Sequence, residues 1–157
     1  MRLRVGDVIE IPLSDGSRAF CRYVERDETL GPIVEVYSKR LSRTEDVDIE
    51  RLGSTGLLFP PVVVGLSAAL HAGLWRIVGH IPVRDYLRPL FLAVRRGKDP
   101  FRVVEWFLWD GHAYKRLGAK LPQQYKRLEI DFVWTAQDLA DRIETGVDPF
   151  RSPLREG

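Results

Sequence analysis

The residues able to carry chemistry are few and scattered. His71, His80 and His112 stand far apart in the chain, and none has a second ligand at the spacing that metal sites use. Neither a metal nor a cofactor is therefore expected. Cys21 is the one cysteine; a thiol becomes a nucleophile where a neighbouring base lowers its pKa, but the sequence places Cys21 in mid-strand opposite Glu10, a slot for small buried side chains. The glycines form neither GxGxxG nor GxxxxGK[ST], so no phosphate cradle is encoded. Glu45, Asp46, Asp48 and Glu50 make a carboxylate cluster. Acid and base catalysis needs two carboxylates fixed across a cleft, and a run in a polar loop reads instead as a solvated face. The expectation is a protein without a catalytic constellation, not an enzyme.

The elements that position these residues are mostly strands. Val5 to Ile11 and Arg18 to Glu25 are rich in β-formers and flank Ser14-Asp15-Gly16-Ser17. Pro12 has no N–H for a ladder, which predicts a four-residue loop, Ser14 to Ser17. Pro32 to Ser38 reads as a third strand. Residues 39–56 are highly polar and predict an exposed excursion with weak structure, while Leu57 to Gly65 is apolar around Pro60-Pro61 and predicts a buried extended segment. Ser67 is placed to cap a short helix ending at Gly73. Trp75 to Pro82 and Leu90 to Arg95 are further strands.

Phe101 to Trp109 and His112 to Leu117 flank Asp110-Gly111, a two-residue turn signal. That turn sets Phe107 opposite Tyr114, Trp106 opposite Lys115 and Glu105 opposite Arg116. With Phe107 and Trp109 on one face and Trp106 on the other, this arm is expected at a sheet centre, and Trp106, Phe107, Trp109, Asp110, Gly111, Tyr114 and Trp134 are expected to be structural. Leu128 to Trp134 alternates as a half-buried strand. Thr135 then caps an amphipathic helix with Ala136, Leu139, Ala140 and Ile143 on one side, stopped by Gly146 and Pro149. The predicted class is α+β: one domain over 1–157, with a strongly bent, mostly antiparallel sheet, an SH3-like amino-terminal meander, one short helix, one carboxy-terminal amphipathic helix and a tail at 147–157.

Composition fits this reading. The 157 residues are 45% hydrophobic and 29% charged, ordinary for a packed domain and far from the signature of disorder. A lone cysteine fits a reducing compartment, and nothing approaches the run of roughly 18 apolar residues that a membrane span requires. The opening residues lack the apolar stretch of an export signal, so the expected location is cytoplasmic, with no membrane partner.

Net charge is only +2, but Arg84 to Arg127 carries eleven Lys/Arg against four Asp/Glu. That excess, interleaved with Trp106 and Tyr114, is the sequence basis for a nucleic-acid-binding alternative. No RNP, KH or helix-turn-helix pattern accompanies it. The sequence leaves the oligomeric state open.

Several motifs stand in a recognisable order: Gly6-Asp7-Val8-Ile9-Glu10-Ile11-Pro12-Leu13, then Asp15-Gly16, Arg22-Tyr23-Val24, Phe59-Pro60-Pro61-Val62, Trp75-Arg76-Ile77-Val78-Gly79-His80, Trp109-Asp110-Gly111 and Leu121-Pro122. In order and spacing the chain resembles the immunity protein 26 family of bacterial polymorphic toxin systems over nearly its whole length. The resemblance implies an α+β protein made beside a toxin gene, binding that cognate toxin, often a nuclease, and blocking it. Cys21 stands where that family's early hairpin is expected to have glycine. Should the toxin be a nuclease, the acidic candidates for contact are Glu45, Asp46, Asp48 and Glu50, with Asp138, Asp141 and Glu144 on the last helix.

Overall fold

A meander opens the fold. The computed structural model describes residues 2–156, beginning with β1 (Asp7–Pro12), β2 (Arg18–Asp27) and β3 (Gly31–Val36), each antiparallel to the next. The first hairpin turns one residue tighter than the sequence suggests. Pro12 pairs with Arg18 and the Leu13 N–H donates to the Ser17 carbonyl at 2.9 Å, so the loop is Ser14 to Gly16, with Gly16 at φ +87°. This is the three-residue loop whose last position needs a left-handed conformation that glycine adopts freely. It puts Pro12 at a position where its missing N–H costs β2 nothing. It also moves Cys21 opposite Ile9, not Glu10.

The polar excursion is more structured than its composition suggests. Leu41 and Leu52 are buried, and Asp48 caps a helical turn, α1 (Ile49–Leu52), by accepting from the Arg51 N–H. The apolar segment that follows is not buried throughout, since Leu57 and Leu58 are 40% and 42% exposed. Its end, β4 (Val62–Val64), is an inner strand beside β3. The next helix, α2 (Leu66–His71), starts from Gly65 without a side-chain cap; Ser67 lies inside it. Then β5 (Arg76–His80) pairs with β1.

The second half builds another sheet from β6 (Phe91–Arg96), β7 (Arg102–Trp109) and β8 (Tyr114–Gly118). Its hairpin is wider than the two-residue turn: Trp109 pairs with Tyr114, Leu108 with Lys115 and Phe107 with Arg116. The cause is Asp110, whose Oδ1 accepts from the His112 and Ala113 N–H groups and so stabilises a four-residue loop. The slip is two residues, so faces are preserved. The Phe107 and Tyr114 rings still meet edge to face at 6.4 Å, and a bulge at Trp106/Phe107 lets Glu105 reach Arg116 at 2.9 Å.

After a 3₁₀ turn at Gln123–Tyr125, the alternating segment pairs only at its end. There β9 (Val133–Trp134) runs parallel to β4, with one bridge from Ile130 to Leu92. The last helix is as read: α3 (Ala136–Thr145) is capped by the Thr135 hydroxyl and ends at Gly146, φ +74°. The tail is tied down, with β10 (Arg155–Glu156) parallel to β7 and Phe150 packed on Phe132 and Trp134.

The class is α+β, with the strands divided between a six-stranded sheet, β5-β1-β2-β3-β4-β9, and a smaller one, β10-β7-β6, with β8 on β7. Helices α2 and α3 cover one face of the larger sheet around Ile9, Ile11, Cys21, Val34 and Trp134. On its other face, Val24, Ile33 and Val63 pack against Phe91 and Trp109 of the smaller sheet, while the excursion covers Val8 and Phe20.

Candidate functional site

The excursion is held against the first hairpin by arginine. Arg18, on β2, donates to the carbonyls of Ser42 and Glu45 and pairs with Glu10 at 3.0 Å. This anchoring shapes a groove of about 290 Å³, along which Glu45, Asp46 and Asp48 stand with Lys39, Arg51 and Leu52. Glu50 is exposed on α1. Two of these carboxylates also serve the loop itself. Glu45 accepts from the Ser42 N–H, which holds its pKa below the usual range, and Asp48 is the helix cap.

The acidic residues of α3 approach the same hairpin from its other side. Glu144 accepts from the Ser14 hydroxyl at 2.6 Å, and these Ser14 bonds lower its pKa. Asp141 accepts from Gln137 at 2.8 Å, and Asp138 is partly exposed beside the cap. Arg40 donates to the Ile143 carbonyl, fastening the start of the excursion to the end of α3. Glu144 thus meets the β1–β2 turn at Ser14, while the excursion is fastened to the start of β2 through Arg18.

The aromatic and turn residues of the second sheet do a different job. Trp106, Trp109 and Trp134 are buried. The Trp109 indole donates to Asp27 Oδ2 at 2.8 Å, and Asp27 also accepts from the Thr29 and Leu30 N–H groups and from Arg88. Burial works to raise the Asp27 pKa, but the Trp109 bond, the two backbone donors and the Arg88 charge outweigh it and hold it below the carboxylate range. Gly111 lies against Arg88, so that a Cβ there would stand 2.4 Å from the guanidinium. Trp109 therefore ties the smaller sheet to β2 through Asp27, and Gly111 lets the loop close on Arg88, while Asp110 holds its own turn. Tyr114 packs on Trp109 at 4.5 Å.

The nucleophile and metal candidates do not converge. Cys21 is fully buried, and burial pushes its thiol pKa far up, which keeps it protonated and unreactive. His80 Nδ1 meets Asp7 at 2.9 Å, His71 is exposed on α2, and His112 lies in the β7–β8 loop. Among the described residues, no group of three or more His, Cys, Asp or Glu is placed to hold a metal ion, and no helix is long and apolar enough to cross a membrane.

Part of the basic stretch is paired with carboxylates. Arg88 is taken by Glu25 and Asp27, and Arg95 and Arg116 share Glu105. Lys98, Arg102, Lys115, Lys120, Lys126 and Arg127 remain exposed.

Sequence reasoning missed the buried ion pairs. Glu10 accepts from both Arg18 and Arg76, at 3.0 and 2.7 Å; its burial raises the pKa, yet the two arginines bring it below the usual value. Glu129 holds Arg142 through two hydrogen bonds of 2.5 and 3.0 Å, with the guanidinium stacked 3.9 Å from the Phe59 ring. Arg76 stands 66 residues from Glu10 and Arg142 13 from Glu129, so no local pattern joins those partners.

Comparison with known proteins adds one match. A family model described as immunity protein 26 matches residues 4–98, more than half of the chain. No curated protein and no solved structure matches significantly.

Proposed function

This chain belongs to the immunity protein 26 family, and from that membership we propose that it binds a cognate bacterial toxin domain and neutralises it as a stoichiometric inhibitor, in the cytoplasm and without catalysis. The observation that carries the reading is the family match over residues 4–98, the stretch that folds into β1 to β6 with the excursion and α2. The groove at Glu45, Asp46 and Asp48, with Glu50 on α1, and the acidic residues Asp138, Asp141 and Glu144 of α3 suit a basic toxin surface such as that of a nuclease, because complementary charge speeds encounter and sets register.

Co-expression tests it. Cells producing the toxin encoded beside this chain should grow when the chain is present and die when it is absent; death in both cases contradicts the proposal. A second reading, nucleic-acid binding, has the exposed Lys98, Arg102, Lys115, Arg116, Lys120, Lys126 and Arg127 in its favour. It predicts binding to duplex or single-stranded oligonucleotides that weakens steeply with salt, and no binding at low ionic strength removes it.

A further inference from the structure

A groove separate from the one at Glu45 runs between the first hairpin and the last helix, with three walls. Gly73, at φ +71°, ends α2, and the N–H groups of Leu74 and Trp75 both donate to the Ala69 carbonyl, at 3.0 and 3.3 Å. This turn buries Trp75 and leaves Leu74 56% exposed. Pro12 and Leu13 of the hairpin form the second wall, and α3 forms the third through Gln137 and Glu144. The space enclosed is about 250 Å³. Small-molecule sites hold roughly 300–1,000 Å³, so this one suits a single side chain.

The walls fix what that side chain is. Hydrocarbon makes up most of them, with Leu13 and Trp75 buried at the floor and Pro12 and Leu74 standing at the sides. Among the described residues that line the groove, Glu144 is the one ionisable group, and no lysine or arginine is present to neutralise it. Ser14 donates to both of its oxygens, from the N–H and, at 2.6 Å, from the hydroxyl. Those bonds hold the carboxylate in place and leave it unsaturated, since an ionised carboxylate accepts about four. Gln137 adds a further acceptor, because its Nε2 is turned to Asp141 and its carbonyl oxygen is left over. Beside the groove, Asp15 and Arg40 offset each other, and Arg40 donates to the Ile143 carbonyl.

An uncharged occupant would strip water from Glu144 and return nothing, whereas a cation on a hydrocarbon stem satisfies both ends of the groove. Arginine matches it better than lysine, because the guanidinium is planar, rich in donors and more weakly hydrated than an ammonium. We propose that this groove receives an arginine of the toxin, its stem lying along Pro12 and Leu74 and its guanidinium meeting Glu144. The inference rests on the toxin-binding reading and deepens it, making the end of α3 the seat of one side chain as well as a region of steering charge. The two roles separate kinetically. A rim charge acts on the association rate, and a desolvated pair acts on the dissociation rate.

The test measures both rates between the full chain and the neighbouring gene's toxin domain, inactivated in its own active site, with every variant checked by thermal unfolding. Glu144→Gln keeps the size of the side chain and raises the dissociation rate by about 20-fold. Leu74→Ser, at an exposed position that leaves the fold intact, raises it by about 10-fold. Leu87→Ser, 88% exposed in the loop between β5 and β6, changes neither rate. Alanine substitution of the toxin's exposed arginines in turn finds one whose replacement removes the difference between the wild-type chain and Glu144→Gln. Unchanged dissociation in Leu74→Ser or in a folded Glu144→Gln overturns the groove and leaves toxin binding standing, as does a loss confined to the association rate. An equal effect from Leu87→Ser shows that the loss is not local and overturns the assignment. A scan in which no arginine couples to Glu144 overturns the occupant. Failure of the wild-type chain to bind overturns this site and the toxin-binding reading together.

Discussion

At the scale of single residues, the fold is fastened by carboxylates that sit inside it with arginines. Asp27 has four partners, the indole of Trp109, two backbone N–H groups and Arg88. Removing its charge leaves a part-buried guanidinium under-compensated, which costs far more than an exposed pair is worth. Asp27→Asn should therefore lower unfolding stability in urea by about 3 kcal/mol; a change inside measurement error would show that the clasp is not structural. Glu10 and Asp27 both have folded pKa values below their ordinary ones. Their stabilisation is complete above the unfolded pKa and is lost as pH falls through the lower folded value, so the urea midpoint should fall below about pH 4 and not between pH 5 and 7. None of this was readable from the sequence. Glu10 and Asp27 look like ordinary polar positions in alternating strands; a bulge after Tyr23 alters the alternation before Asp27, and Arg88 lies 61 residues away.

At the scale of elements, what is local was readable and what is tertiary was not. The helix α3 announced itself because cap, apolar stripe and stop all lie within one dozen residues. The two hairpins were found but misregistered, by one residue at Gly16 and by two at Asp110, because side-chain and glycine geometry inside each loop decides its length. Helix α1 escaped notice: a single turn amid polar residues is held by the Asp48 cap and by burial of Leu52, a contact the sequence does not display. The β4–β9 pairing joins strands about 70 residues apart and is equally hidden. The turn at Gly111 offers a direct check. Gly111→Ala forces a Cβ into a φ of +98° and against an Arg88 that two carboxylates pin in place. It should cost about 2 kcal/mol in thermal or urea unfolding, whereas Gly16→Ala, with nothing within 4 Å of its Cβ, bears only the backbone strain and should cost less.

At the scale of the whole molecule, the described residues form two sheets and three helices. Cys21 is sealed in the core, and the histidines are separated. Glu144 of α3 meets the first hairpin at Ser14 and the loop around Glu45 meets it at Arg18, contacts that no local sequence pattern displays. The central claim is that this surface holds a toxin. The most direct measurement is an isothermal titration of the purified toxin domain with the purified chain, with toxin activity followed in parallel. The account predicts a one-to-one complex with activity extinguished at equivalence; an absence of binding heat, or full toxin activity in excess of the chain, would contradict it.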